Sequence, residues 1–427
     1  MVSSPSLSLF NLALLVSLSS NVLAAPSPSF PLSMNLHRRV PPQTTDEEMV
    51  AWAKAHKLNV EAKYGNPSSI RKRASGQNLI VNQGVDSSFF GSVAVGTPPV
   101  AFDVILDTGS ADLWLAAPTC DDSACQGLAT FDSSKSIQYG SGAAQGELGS
   151  DVVQMAGFSV QNQVFAVCDV VSTDLVEAPV SGLIGLAFQT ISSSGAKPLW
   201  ETLASSSAWT DPLMAFQLTR FSNASNAKSL EPGGTLTMGA VNTSLYTGDI
   251  DFNDIPGAIT SQGSSISVPT GLDAQAAIDT GTTLIGGPTD AVAEIYANIP
   301  GAEQGTGDME GYYLYPCSTN VAVTMSFGGQ MTCMGAFFAI ETGGGAPAWI
   351  VGDTFLKNVY SVFRYTPPSV GFAQLSATAL AMNGVNSAAP TATIGSAAAT
   401  ATGSDSNRRR FRAGGAQLSS MGLCTER

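Results

Sequence analysis

The chain has 427 residues, of which 44% are hydrophobic and only 12% charged, with 43 glycines and a formal net charge of −14. That length supports two lobes with a sizeable core, and the composition excludes a disordered or coiled-coil chain. The charge is uneven: residues 74–375 hold 6 Lys and Arg against 27 Asp and Glu, a net of −21, while the segments before and after them are basic, at +4 and +3. An acidic body repels phosphates and argues against a nucleic-acid partner. It suits work in acid, where protonation relieves self-repulsion, although acidity also serves solubility.

The chain opens on an apolar run, Leu7 to Leu18, ended by Val22-Leu23-Ala24. Residues 1–24 read as a secretory signal peptide cleaved before Ala25, although the segment ahead of the run has no Lys or Arg. The run is too short to cross a bilayer, and no later stretch reaches that length, so a secreted, extracellular protein without a membrane span is expected. Residues 25–73 read as a removable prosegment. It ends at Arg71-Lys72-Arg73, a dibasic processing site ahead of Ala74, where the charge changes sign and strand-like sequence begins. Within it, Met49, Trp52 and Ala55 fall at helical spacing in the stretch Glu47 to Lys63. A basic prosegment on an acidic body is held by charge and loosens as the carboxylates protonate.

From Ala74 the pattern is short strands with Gly-rich turns and few helices. Glu147 to Met155 reads as a strand, and Trp200–Ser205 and Thr289–Ile299 read as helices. Asp107-Thr108-Gly109-Ser110 follows the apolar run Phe102, Val104, Ile105, Leu106. Asp279-Thr280-Gly281-Thr282 follows Ala276, Ala277, Ile278 and leads into Leu284 and Ile285. One such tripeptide is an ordinary turn; two in the same setting point to a duplicated lobe supplying one carboxylate from each half. Further along, Leu183-Ile184-Gly185 and Trp349-Ile350-Val351-Gly352 echo each other, each able to pass close under an Asp-bearing loop. Both histidines, His37 and His56, precede Ala74. A body without histidine excludes a Ser-His-Asp triad, a Cys-His pair and His-ligated zinc, and leaves carboxylates to move protons.

In a secreted chain, Cys120–Cys125 and Cys317–Cys333 are the expected disulfides. Cys168, inside the apolar run Val164 to Val171, reads as a buried thiol, and Cys424 as a free one. No spacing resembles a metal site. Asn223-Ala224-Ser225 and Asn242-Thr243-Ser244 are glycosylation sequons. Residues 376–427 are rich in Ser, Ala and Thr, then meet Arg408-Arg409-Arg410-Phe411-Arg412, and read as a disordered tail too polar at its end for a lipid anchor.

Five motifs together resemble the pepsin-like aspartic endopeptidases, in the style of secreted fungal members. They are Asp-Thr-Gly-Ser-Ala-Asp-Leu-Trp from Asp107 to Trp114, Tyr139-Gly140-Ser141-Gly142, Gly182-Leu183-Ile184-Gly185, Asp279-Thr280-Gly281-Thr282, and Trp-Ile-Val-Gly-Asp from Trp349 to Asp353. The resemblance covers about residues 74–375. It implies an all-β, bilobal fold of two pseudo-symmetric, barrel-like lobes, residues 74–220 and 221–375, with the active-site cleft between them.

It also implies roles. Asp107 and Asp279 would share a water and one proton, because two carboxylates so close do not both ionise easily. The ionised member takes a proton from the water as it attacks a peptide carbonyl, while the protonated member polarises the carbonyl oxygen; no cofactor and no metal is needed. Gly109 and Gly281 would let backbone N–H groups reach the carboxylates, Thr108 and Thr280 would bond across the lobes, and Ser110 and Thr282 would orient the outer oxygens. Tyr139, with Gly140, Ser141 and Gly142, would form a flap over substrate, supported by Trp114. Lys63-Tyr64 would block the dyad before processing.

Three places are short against the family: between Phe131 and Tyr139, between Ile255 and Ser265, and between Gly329 and Cys333. Each lacks about one or two strands of typical length, through true trimming of the lobes or coding segments missing from the sequence. The expectation is a secreted, monomeric endopeptidase made as a zymogen and acting on protein and peptide substrates in acid. One alternative is a catalytically weak peptide-binding relative, given the missing strands. Another is a carboxylate-pair glycosidase, which requires neither Thr-Gly after each Asp nor a flap.

Overall fold

Alternating side chains set the first strands. The computed structural model describes residues 74–117, 138–141, 144–172, 175–222, 224–252, 258–268, 274–327, 330–334, 337–340, 347–392 and 399–402. β1 (Gly76–Gln83), β2 (Ser88–Val95) and β3 (Val100–Asp107) form an antiparallel meander. In β3, Phe102, Val104 and Leu106 are buried while Ala101, Asp103 and Ile105 are only half-buried, the period-two signature of a strand with one face on a core.

Next come β4 (Leu113–Ala116), β5 (Gln138–Ser141), β6 (Ala144–Met155), β7 (Phe158–Val171) and β8 (Val180–Gly185). β8 inserts between β3, to which it runs parallel, and β4, to which it runs antiparallel. β4 continues the sheet parallel to β7, β7 pairs with β6, and β6 returns to β2. That last pairing closes a six-stranded barrel.

Behind it, helix α1 (Leu199–Ser205) buries Leu199, Trp200 and Leu203. β9 (Leu213–Leu218), β10 (Leu230–Met238) and β11 (Tyr246–Asp251) lead into the second half. That half contains β12 (Ala258–Ser261), β13 (Ser264–Ile266), β14 (Ala276–Ile278), β15 (Ile285–Gly287) and helix α2 (Thr289–Ala297). It continues with two-residue strands β16 (Glu303–Gln304) and β17 (Tyr313–Leu314), then β18 (Val323–Phe327), β19 (Gln330–Met334), β20 (Phe337–Ala339) and β21 (Trp349–Val351). Helix α3 (Asp353–Leu356), β22 (Val359–Arg364), β23 (Ser369–Leu375), helix α4 (Ala377–Leu380) and β24 (Ala399–Thr402) complete the order. An antiparallel run β11-β23-β22-β9-β10-β1 joins strands from both halves.

The duplication is visible in the pairing. In the first half the order is β3-β8-β4-β7, with parallel, antiparallel and parallel neighbours. In the second it is β14-β21-β15-β20, with the same senses in the same sequence. Each aspartate follows or ends the first strand of its set. The fold is therefore the all-β, bilobal arrangement that the motifs imply.

Both expected helices are present within two residues of their expected ends. In two of the short segments the described residues form paired antiparallel strands. β12 and β13 turn over Gln262-Gly263, with φ of 51° and 83°, and β18 pairs with β19 from Val323–Met334 to Phe327–Gln330. The third, before Tyr139, lies outside the described residues.

Two expectations are corrected. The segment after Leu375 is not wholly disordered: it forms α4 and β24, because Ser376 caps the helix through Ala379 N and the Ala-Thr stretch finds a strand to pair with. The Cys317–Cys333 bridge is not formed, since Cys317 is a free, exposed thiol. The backbone of Cys333 lies inside β19, opposite Thr324. Cys120, Cys125 and Cys424 lie outside the described residues, as do the signal peptide, the prosegment with Lys63-Tyr64, and Asn223. Cys168 is a buried free thiol, as expected, with its pKa pushed up to about 12 by burial and then by Asp169. No helix among the described residues is long and apolar enough to cross a membrane.

Trp200 links the core to the first aspartate loop. Its Nε1 donates to Ala187 O at 2.8 Å, Ala187 N donates to Ser110 O at 2.8 Å, and its ring stands edge-on to Phe188 and Tyr365. Trp200→Ala is expected to cost about 3–5 kcal/mol of stability, read as a lower midpoint in urea unfolding; an unchanged midpoint would refute this role.

Candidate active site

Each aspartate sits where a strand runs out over a strand inserted beside it. β3 ends at Asp107, paired with Gly185 of β8, and Leu186 N donates to Asp107 O at 2.6 Å. β14 ends one residue before Asp279, whose N donates to Val351 O of β21 at 3.0 Å. The glycines that end or follow β8 and β21 pass beneath the two loops. A Cβ at Gly185 would stand 2.3 Å from Asp112 N, and one at Gly352 2.1 Å from Thr282 O. No side chain fits either place.

The two loops lock by reciprocal threonine bonds. Thr108 Oγ1 donates to Ile278 O at 2.8 Å and accepts from Thr280 N at 3.0 Å. Thr280 Oγ1 donates to Leu106 O at 2.6 Å and accepts from Thr108 N at 3.1 Å. Both threonines are buried. The lock brings the carboxyls together: the direction a Cβ would take from Gly109 ends 2.5 Å from the Asp279 carboxyl carbon, and from Gly281 2.4 Å from Asp107 Oδ1. Close approach, rather than turn geometry, is what requires glycine here.

Each carboxylate has the same local partners. Gly109 N donates to Asp107 Oδ1 at 2.8 Å and Ser110 Oγ to Oδ2 at 2.5 Å. Gly281 N donates to Asp279 Oδ1 at 2.8 Å and Thr282 Oγ1 to Oδ2 at 2.6 Å. Burial holds Asp107 well above the ordinary carboxylate range. The negative charge of Asp279 and a hydrogen bond with it push the same way, against smaller opposing effects from Ser110 and Gly109.

Tyr139 lies on β5, opposite Gly146 of β6, with Gly140 opposite Gln145 and Ser141 opposite Ala144. This is the backbone of the expected hairpin; Gly142 lies outside the described residues. Gly146 lets β6 cross β7 closely, since a Cβ there would stand 1.9 Å from Val167 O. Trp114 is buried on β4 beside Phe90, Ala166 and Val180. Asn242 holds its own turn, its Oδ1 accepting from Ser244 N and Ser244 Oγ.

Reasoning from sequence missed a buried ion pair near these loops. Lys357 Nζ lies 3.0 Å from Asp86 Oδ2, and both side chains are buried. Burial raises the Asp86 carboxyl, but Lys357, Asn82 and the N–H of Phe221 outweigh it and hold it low. Asp86 sits in a turn of three successive left-handed residues, Gly84, Val85 and Asp86, with φ of 62°, 56° and 74°. Thr283 Oγ1 donates to Ser87 O, fastening the second loop to that turn. Asp353, buried one helical turn before Lys357, is raised well above its ordinary value by burial first; Lys357 opposes, while Asp279, Asp86 and Asp107 add to the rise. One acid, Asp353, four residues before a rare lysine in an acidic body was the available signal, and it points to Lys357 but not to Asp86.

Paired Asp-Thr-Gly loops, locked back to back between two duplicated β lobes, define the class of pepsin-like aspartic peptidases. Residues 88–375 match the family described as eukaryotic aspartyl protease, and the chain belongs to that family. It is 42% identical over 352 residues to the Major aspartyl peptidase 1 of Cryptococcus neoformans var. grubii, covering 71% of this chain and 72% of the relative. It is 30% identical over 362 residues to Pepsin A of Sus scrofa, covering 76% and 89%. It is likewise 30% identical over 367 residues to the aspartic protease of Phaffia rhodozyma, covering 76% and 85%. The protein is an aspartic-type endopeptidase.

Thr280→Ala removes a donor and an acceptor from the lock and leaves Leu106 O and Thr108 N unpaired in a buried place. The expected cost is about 1–3 kcal/mol. Thermal unfolding should show a lowered midpoint, and Thr280→Ser, which keeps the hydroxyl, should recover most of it. Equal losses in both variants would refute the lock.

Proposed function

We propose that Asp107 and Asp279 are the catalytic dyad of a secreted, monomeric acid endopeptidase made as a zymogen and acting on protein and peptide substrates. The observation that carries this is the face-to-face packing of two identically supported carboxyls, which leaves one of them holding a proton. The ionised member takes a proton from a water as the water attacks the peptide carbonyl, and the protonated member donates to the carbonyl oxygen. Collapse of the tetrahedral species returns a proton to the leaving amine. Ser110 and Thr282 hold the outer oxygens so that the inner ones face the reacting atoms. Tyr139 and Gly140, with Ser141 and Gly142, close over substrate as a flap, and Trp114 backs that hairpin.

The zymogen reading rests on sequence and on where the body begins. Ala74, the first residue after Arg71-Lys72-Arg73, is already tied in: Ala74 N donates to Ala208 O and Thr210 N to Ala74 O, both at 3.0 Å. That supports a cut before Ala74, with residues 25–73 removed and Lys63-Tyr64 leaving the dyad. The leader of residues 1–24 supports secretion, and Asn242 is the described candidate for glycosylation.

Cleavage of an unfolded protein at about pH 3–4 tests the dyad. Asp107→Asn and Asp279→Asn should each lower kcat by about 10³-fold or more, and pepstatin should abolish the parent activity. A folded chain, freed of residues 1–73, that cleaves nothing would favour the peptide-binding alternative. Cleavage unaffected by pepstatin would sink the dyad.

Acid should also stabilise the fold. Burial raises Asp103 from 3.8 to about 6, and Asp107 and Asp353 are raised as well. A raised group binds its proton more tightly when folded, so its stabilisation is fully present below pH 3.8 and is lost as pH rises through the folded value. Asp86, held low, has the opposite sign and loses its contribution only as pH falls below that range. The thermal midpoint should therefore peak near pH 4, where all four favour the fold, and decline toward pH 7. Asp103→Asn should shrink the decline between about pH 4 and 6; an equal decline in the variant would show that Asp103 does not contribute.

A further inference from the structure

The chain does not leave the body after β23. Ser376 N donates to Leu245 O at 3.0 Å and Ser376 Oγ to Ser244 O at 2.6 Å, fastening the start of α4. Arg220 and the segment after α4 then bond reciprocally: Arg220 N donates to Asn383 Oδ1, and Gly384 N donates to Arg220 O, both at 2.9 Å. Asn386 Nδ2 reaches Asn226 O at 3.3 Å, and Ala389 packs against the cluster containing Val81, Phe90 and Trp114. At the end of this path, β24 lies parallel to the start of β7, from Ala399 opposite Phe158 to Thr402 opposite Gln161. Ala401 is 3% exposed and belongs to the main hydrophobic core.

The place that β24 occupies is specific. β6 takes one edge of β7 there, with Val153 opposite Val160 and Met155 opposite Phe158. On the other edge, β4 reaches only Ala166, Val167 and Cys168. Among the described residues, β24 alone pairs with that edge at Phe158–Gln161. The edge is also costly to expose: Phe158, Ser159 and Val160 are buried, and an open strand edge over a core invites pairing with another chain. The occupant has suitable chemistry. Thr residues at 400 and 402 suit a strand by propensity, and Ala401 is small enough to lie close against a packed core. The docking segment itself, residues 376–402, lies beyond residues 88–375, the part that matches the family.

We propose that Ala399–Thr402 is a built-in edge strand that completes the first lobe by β-augmentation in cis, and that the working enzyme keeps its C-terminal segment at least through Thr402. The tail thereby straps the strand joined to the second half, β23, onto the barrel of the first. The groove beside Phe158–Gln161 is a strand-docking site whose occupant is this segment.

Hydrogen exchange and thermal unfolding of four chains test this: the full chain, a chain ending at Ser404, a chain ending at Ala392, and full-length Ala401→Glu. The chain ending at Ser404 should match the full chain. The chain ending at Ala392 and Ala401→Glu should exchange the β7 amides of residues 158–161 about tenfold faster or more and unfold ~2–4 °C lower. A synthetic peptide of residues 397–404 added to the chain ending at Ala392 should restore protection. Unchanged exchange and midpoint in that chain would overturn the proposal, as would equal losses in the chain ending at Ser404. Should the chain ending at Ala392 not fold, Ala401→Glu carries the test, and rapid exchange of residues 399–402 in the full chain would overturn the proposal. These readouts do not depend on peptidase activity.

Discussion

Two carboxyl groups are held against each other by four hydrogen bonds that Thr108 and Thr280 make with each other and with the strands behind the opposite loops. Everything else in the centre of the molecule depends on that constraint. Facing carboxylates repel once both ionise, so the arrangement survives only if neither loop can move aside. The threonine bonds tie each loop to the backbone beneath the other, Leu106 O and Ile278 O. Separation of the carboxyls therefore requires separation of the lobes. Burial first, and then the enforced closeness of Asp279, raises the Asp107 carboxyl well above its ordinary range.

The surrounding architecture gives the lock a foundation. β8 and β21 each run under an aspartate loop, and glycine at 185 and 352 keeps the layers close enough for backbone bonding. Behind the first loop stands Trp200; beside the second lies the buried Asp86–Lys357 pair and the neutral-leaning Asp353. A buried ion pair contributes little net stability by itself. Here it braces a turn of three left-handed residues, and Ser87 of that turn accepts from Thr283, four residues past Asp279.

Much of the site was legible because its signals are local. Asp107-Thr-Gly and Asp279-Thr-Gly each follow an apolar strand, and glycine after each Asp-Thr has no side chain for the same reason in both places. The two helices were readable from apolar spacing. What escaped depended on residues far apart in the chain. Asp86 and Lys357 meet across 271 positions, and nothing about either residue alone announces the partner. The tail misled for a related reason: Ala, Ser and Thr cannot build a core, yet four of them suffice to finish one that already exists, and the edge of β7 is not visible from the tail's own composition. For Cys317 and Cys333, spacing and compartment pointed to a bridge, whereas strand pairing opposite Thr324 determines where Cys333 goes.

The inserted strands have a consequence for when the molecule becomes competent. β8 must enter between β3 and β4, both already made, and β21 must enter between β14 and β15 long after Asp279 has left the ribosome. Pairings of such long sequence separation are slow to form, because chain closure precedes any reward. Neither aspartate loop has its floor until the last strand of its set arrives, and the second floor, at Trp349–Val351, is among the final pieces of the fold. A nascent or partly folded chain thus carries both carboxyls without a working arrangement of them. On the catalytic reading proposed above, a chain still being made is inert until both floors are in place.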